Sequence, residues 1–166
     1  MRSLLNAFIA AWICVAGLGF AAEPSQAQTR KPTANEIARI RDCATKYADN
    51  LDEGERQCLF NLVTQPCVKK PLEAADNSVV VDCYLVENSI WDGLLNENYK
   101  SLLDTLDDDQ TAKARAMQRA WVAYRDTTCQ FYDDKIQGSM SVTMHAACVN
   151  RESARRAMLL KFFGTL

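Results

Sequence analysis

Six cysteines follow an apolar N-terminal run, and together these two features constrain the fold more than anything else in the chain. Leu4 to Ala22 is almost wholly apolar after the positive Arg2. Ser25-Gln26-Ala27 supplies the small-x-small pattern that signal peptidase reads, so residues 1–27 read as a signal peptide. Cleavage after Ala27 leaves Gln28 first; Gly19-Phe20-Ala21 is a second possible site. Cys14 lies inside the apolar run behind Ala11-Trp12-Ile13, which lack the small residues lipidation needs, so it is not read as a lipid anchor. No later segment approaches the roughly 18 apolar residues of a membrane span. The localisation expected is periplasmic or secreted, and in that oxidising setting six cysteines read as three disulfides. Zinc is the rival, but no C-x-x-C occurs and His145 is the single histidine.

Residues 28–166 are long enough for one domain with its own core. Thr33-Ala34-Asn35-Glu36 is a capping box, and Ile37, Ile40, Ala44 and Tyr47 follow at helical spacing. Asp52-Glu53-Gly54-Glu55 opens a second helix with Leu59, Leu62 and Val63 on its dry side, stopped by Pro66. Cys67 to Asn77, with Pro71, reads as a loop ending in the capping residues Asp76, Asn77 and Ser78. A long helix is predicted from Val79 to Leu106, because Tyr84, Trp91, Leu95, Leu102 and Leu106 recur on one face. Asp107-Asp108-Asp109 lacks the spaced ligands and glycine of a calcium loop and instead complements the positive start of the next helix.

That helix is predicted over Thr111 to Tyr132, with Met117, Trp121, Tyr124, Thr128 and Phe131 sharing a buried face. Asp133 to Ser141 reads as a turn containing Gly138, and a last helix as running from Val142 to Phe162. Its buried side is expected to carry Met144, Ala147, Ala154, Met158 and Phe162. No segment alternates with a period of two. The fold class is therefore all-α: a small disulfide-stapled helical bundle ending in an antiparallel helical hairpin.

In such a hairpin Cys129 and Cys148 come level, and a bond between them adds roughly 3 kcal/mol in the chain-entropy model. The other four cysteines allow three pairings. Cys43 with Cys58 and Cys67 with Cys83 closes two helix connections and is preferred; Cys58 with Cys67 and Cys43 with Cys83 is the alternative.

Charge is unevenly spread. Residues 28–110 carry 9 Lys and Arg against 16 Asp and Glu, a net of −7, whereas residues 111–166 carry 9 against 4, a net of +5. Acidic helices packing beside basic ones explain this, and a cationic partner for the acidic part is the sharper reading. Nucleic acid is not expected as a partner of an exported chain that is acidic overall. Enzymatic readings find little footing. His145 has Ser139 and Ser141 nearby in sequence, but a triad needs an orienting acid and an oxyanion site. No catalytic residue, cofactor or metal ligand is assigned.

Two stretches resemble a known family. Trp91 to Tyr99 is similar to the D-x-x-L-N-x-x-Y signature of the LprI-like family of lysozyme inhibitors, with Asp92, Leu95, Asn96 and Tyr99 in place. Gln118 to Cys129 resembles its Q-R-A-W-x-x-Y/F-R-D-x-x-C signature, carried by Gln118, Trp121, Tyr124, Arg125, Asp126 and Cys129. Gly138-Ser139, Cys148 and then Arg155 or Arg156 are similar to its C-terminal end. The resemblance covers roughly residues 67–160 and leaves 33–66 as an N-terminal extension. It implies a small exported helical domain that blocks lysozyme or another cationic envelope protein. The alternative is a periplasmic structural or interaction protein without that inhibition.

Arg125 is expected to lie beside the bundle and pair with a carboxylate such as Asp92 or Glu152. Gln137-Gly138-Ser139-Met140, a small polar segment near a disulfide, is the candidate partner-binding loop.

Overall fold

A computed structural model describes residues 29–69 and 77–166. The leader assigned to residues 1–27, and Pro71 and Asp76 of the expected loop, lie outside them. Among the described residues every regular element is a helix: α1 (Ala34–Lys46), α2 (Leu51–Cys58), α3 (Thr64–Val68), α4 (Asn77–Leu103), α5 (Asp108–Lys135) and α6 (Ser139–Phe163). The chain is an all-α, disulfide-stapled bundle that ends in an antiparallel hairpin, α5–α6.

Local chemistry sets the helix starts. Thr33 caps α1 by accepting from the Glu36 amide at 3.2 Å, and the Glu36 carboxylate accepts from the Thr33 amide at 2.8 Å. Arg30 adds two hydrogen bonds to the same carboxylate and holds it well below the usual range, at about 2. Asn50, ahead of the expected Asp52, caps α2 by accepting from the Glu53 amide. Asp107 and Gln110 form a second capping box, so α5 begins three residues before Thr111.

Pro66 corrects the expected helix stop. It sits in the first turn of α3, where its missing N–H would have had no intrahelical partner. The chain turns between α2 and α3 through Phe60, a non-glycine residue at φ 65°. Its ring packs edge-on against Tyr84, with centroids 5.6 Å apart. Leu106 falls outside α4, in the turn to α5, but still packs against the core.

α4 and α6 form the largest interface of the bundle. They run parallel: Asn77 at the start of α4 bonds Ser139 at the start of α6, and Asn98 bonds the Ala157 carbonyl farther along. Val86, Ile90, Trp91, Leu94 and Leu95 of α4 meet Ala154, Ala157, Met158 and Leu160 of α6. Ile40 and Ala44 of α1, with Leu59 and Val63, complete the same cluster. Fully buried side chains such as Trp91, Ile40 and Leu160 each stabilise the fold by about 1.5–3 kcal/mol. Gly54 permits the close approach of α2, since a Cβ there would meet Met158 Sδ at 3.1 Å and Tyr47 Cβ at 3.2 Å.

Two expected faces need correction. Tyr124 and Phe131 are not core residues; they are 53% and 62% exposed. Cys129 must face Cys148, and residues one and two turns earlier on that line are Arg125 and Trp121, which turn inward in place of Tyr124. The buried side of α6 is also wider than expected. Met144, Ala147 and Phe162 are half-buried, whereas Asn150, Glu152, Ser153 and Arg156 are buried among the apolar residues. α6 is packed by α4, α5 and α2 together, so it has more than one inward face.

Candidate functional site

Disulfides join Cys43 to Cys58, Cys67 to Cys83 and Cys129 to Cys148, with Cα–Cα distances of 5.8, 5.8 and 5.5 Å. The last bond is buried between α5 and α6 and sits below the hairpin tip. The tip is shorter than expected. Ile136, Gln137 and Gly138 link the helices, and Ser139 and Met140 already belong to the first turn of α6. Gly138 stands at φ 82° and ψ −167°, a conformation that side chains strongly disfavour. Gln137, Gly138, Ser139 and Met140 are all exposed, as is Val142.

Three ties hold this tip besides the disulfide. Asn77 donates to the Ser139 hydroxyl at 2.9 Å. Ser141 donates to the Gly138 carbonyl through both its amide and its hydroxyl. His145 Nδ1 lies 2.6 Å from Asp133 Oδ2 across the hairpin. The Asp133 partner was not legible in the sequence, and it gives His145 an orienting acid. The neighbouring serine hydroxyls are engaged elsewhere, Ser139 by Asn77 and Ser141 by Gly138, so the pair ties two helices. Among the described residues no three His, Cys, Asp or Glu side chains gather to hold a metal ion. Nor is any described helix long and apolar enough to cross a membrane.

The two signature stretches each pack on α6, behind the tip rather than on it. Arg156, buried in α6, donates from Nε to Gln118 Oε1 at 2.8 Å. Its guanidinium lies 5.5 Å from the Trp121 ring centre, and that of Arg125 lies 5.0 Å from the same ring. Trp121 is thus contacted by two cations, each contact worth about 0.5–2 kcal/mol. Burial pushes the Arg156 guanidinium below its ordinary value, opposed by Tyr99. Arg125 does not reach Asp92 or Glu152. It pairs with Asp126 on its own helix at 2.7 Å, because the ring of Trp121 one turn earlier holds it along α5. Glu152 is engaged by Arg151 and Arg155. Asp92 accepts from Asn96 at 3.2 Å on the exposed side of α4, and Leu95 and Tyr99 pack toward the core.

Glu87 is a structural centre that sequence reasoning missed. Fully buried in α4, it accepts from the amides of Phe60 at 2.9 Å and Thr64 at 2.8 Å, and from Trp91 Nε1 at 3.2 Å. It therefore fixes the α2–α3 turn onto the long helix. The available signal was one acidic residue inside the apolar stripe, one turn before Trp91.

Grooves mark the rest of the described surface. One of 460 Å³, bordered by Asp52, Glu55, Arg56 and Arg151, has mixed charge. Another, of 400 Å³, is apolar and opens where α4 ends, α5 begins and α6 ends. No curated protein and no solved structure is matched by this chain. The family model described as lysozyme inhibitor LprI matches residues 67–160, which take in α4, α5, both signature stretches and most of α6. With more than half of its length matched, the chain belongs to the lysozyme inhibitor LprI family.

Proposed function

We propose that the chain is an exported envelope protein that binds and inhibits a lysozyme-type muramidase, without catalysis of its own. Family membership is the observation that carries this reading. Three disulfides are consistent with an oxidising, extracytoplasmic location, and we assign the protein to the periplasm or the secreted fraction. The tip formed by Gln137, Gly138, Ser139 and Met140 is the proposed inhibitory element. It is small, exposed and tied to both α4 and α6, so little ordering is lost when it enters a cleft. Inhibition then follows from occupancy of the cleft. The net −7 of residues 28–110 speeds encounter with a cationic enzyme.

Lysis of a peptidoglycan suspension by lysozyme, with and without the oxidised protein, tests this. Stoichiometric slowing is expected, weakening as salt rises and the Debye length falls below about 10 Å. Met140→Lys places a cation on the tip and should abolish inhibition with the helical content unchanged. No slowing of any of several lysozyme types would reject the inhibitor reading and leave an interaction protein of the envelope, a role favoured by the uncovered face of α5.

A further inference from the structure

α5 is a long helix with one principal neighbour. Of its residues from Asp108 to Lys135 only Ala114 and Cys129 are buried, and it packs on α6. With about 3.6 residues per turn, Ala116, Ala120, Ala123 and Thr127 fall on one side of it, and all four are exposed. Tyr124 and Phe131 stand beside this flat strip, 53% and 62% exposed. The exposed charges flanking it are sorted along the helix. Past the Asp109–Lys113 pair, the first half carries Arg115 and Arg119, and the second half carries Asp126 and Asp134, with Lys135 as the one exposed cation at its end. Next to the basic half opens the apolar groove of 400 Å³, whose walls include Ala114, Met117, Leu102 and Phe163.

We propose that a second copy of this chain docks on this face, α5 against α5 in antiparallel fashion, with Phe131 of each chain at the apolar groove of the other. The inference does not depend on lysozyme inhibition. In an antiparallel pair, residues whose numbers add to one constant lie level. Setting Arg119 level with Asp126 of the other chain makes Phe131 level with Ala114, at the edge of the groove. The same register puts Tyr124 level with Trp121 and one residue from Ala120, and brings Lys113 within one turn of Asp134. Opposite charges, large against small side chains, and knob against groove therefore coincide in one register. The opposite, parallel arrangement would set Arg119 against Arg119 and Asp126 against Asp126.

The alanine strip lets the helix axes approach to about 8 Å. The contact is isologous: each chain gives one Phe131 and one groove, so the pair closes and does not propagate. Asp126 remains 59% exposed while bound to Arg125, which leaves it free to meet Arg119. A cationic target suits this face poorly, because half of it is already basic. Antiparallel docking also leaves the two hairpin tips free at opposite ends of the dimer.

Sedimentation and light scattering of the oxidised chain, from dilute solution to about 100 µM, test the proposal. The chain is expected at twice its single-chain mass. Phe131→Ser and Arg119→Glu should each raise the dimer Kd about tenfold or more, with helical content and disulfides intact. Combining Arg119→Glu with Asp126→Arg should restore pairing. A single-chain mass throughout, or a dimer indifferent to both single variants, would overturn the proposal. Failure of the charge swap to rescue would overturn the antiparallel register. If Phe131→Ser instead weakens lysozyme inhibition by a chain that stays monomeric, the face belongs to another protein and the second copy is refuted.

Discussion

Replacing Glu87 with Gln should destabilise the fold by about 2 kcal/mol, although the two side chains have nearly the same shape. The carboxylate is fully buried and uses both oxygens: Oε1 accepts from Phe60 and Trp91, and Oε2 from Thr64. Gln has one acceptor oxygen. In one orientation its NH2 opposes the Thr64 amide; in the other it opposes both Phe60 and Trp91. At least one buried donor is left unsatisfied, and a lost hydrogen bond to a charged acceptor costs about 1.5–3 kcal/mol. For a domain of this size about 2 kcal/mol corresponds to roughly 6–8 °C in Tm. Glu87→Ala orphans all three donors and leaves a void, so its cost should exceed about 4 kcal/mol. Guanidinium and thermal unfolding followed by circular dichroism, with disulfides intact, measure these differences. Glu97→Gln is the control, because Glu97 meets Arg41 in an exposed pair worth about 0–1 kcal/mol. A Glu87→Gln protein no less stable than that control would refute the argument that this carboxylate anchors the α2–α3 turn.

Gly93→Ala should stabilise by about 0.5–1 kcal/mol, since the site is an exposed helix interior and an added Cβ meets nothing within 4 Å; unfolding midpoints with an unchanged denaturant slope would verify it. Removing both Cys129 and Cys148 should cost about 3 kcal/mol and weaken inhibition together, because their bond closes a 19-residue separation below the tip; full inhibition by the double Ala variant would separate tip geometry from the staple. Glu36 has its folded value lowered from 4.5 to about 2, with the Arg30 hydrogen bonds as the largest cause. Its contribution is therefore complete above about pH 4.5 and is lost as pH falls through about 2. Accordingly, Glu36→Gln should destabilise at pH 7 and have little effect near pH 2, read by unfolding at both pH values.

The sequence by itself determined the class of this protein. Helical spacing of Trp91, Leu95 and Leu102, capping residues such as Thr33 and Asp107, and cysteines placed at helix connections are local signals, and local signals survive without knowledge of neighbours. The two signature stretches were equally legible and carried the family. Which side of α5 is dry was not. Periodicity groups Tyr124 with Phe131 but cannot say whether another helix lies against them, and among the described residues none covers them. The polar lining of α6 was hidden for the converse reason: three neighbours bury Asn150, Ser153 and Arg156 where a one-faced pattern places solvent. Glu87, the Asp133–His145 tie and the contact of Trp121 with Arg156 join residues on different elements. Only tertiary structure sets such distances, because they depend on how helices cross, whereas a sequence pattern reports one helix at a time.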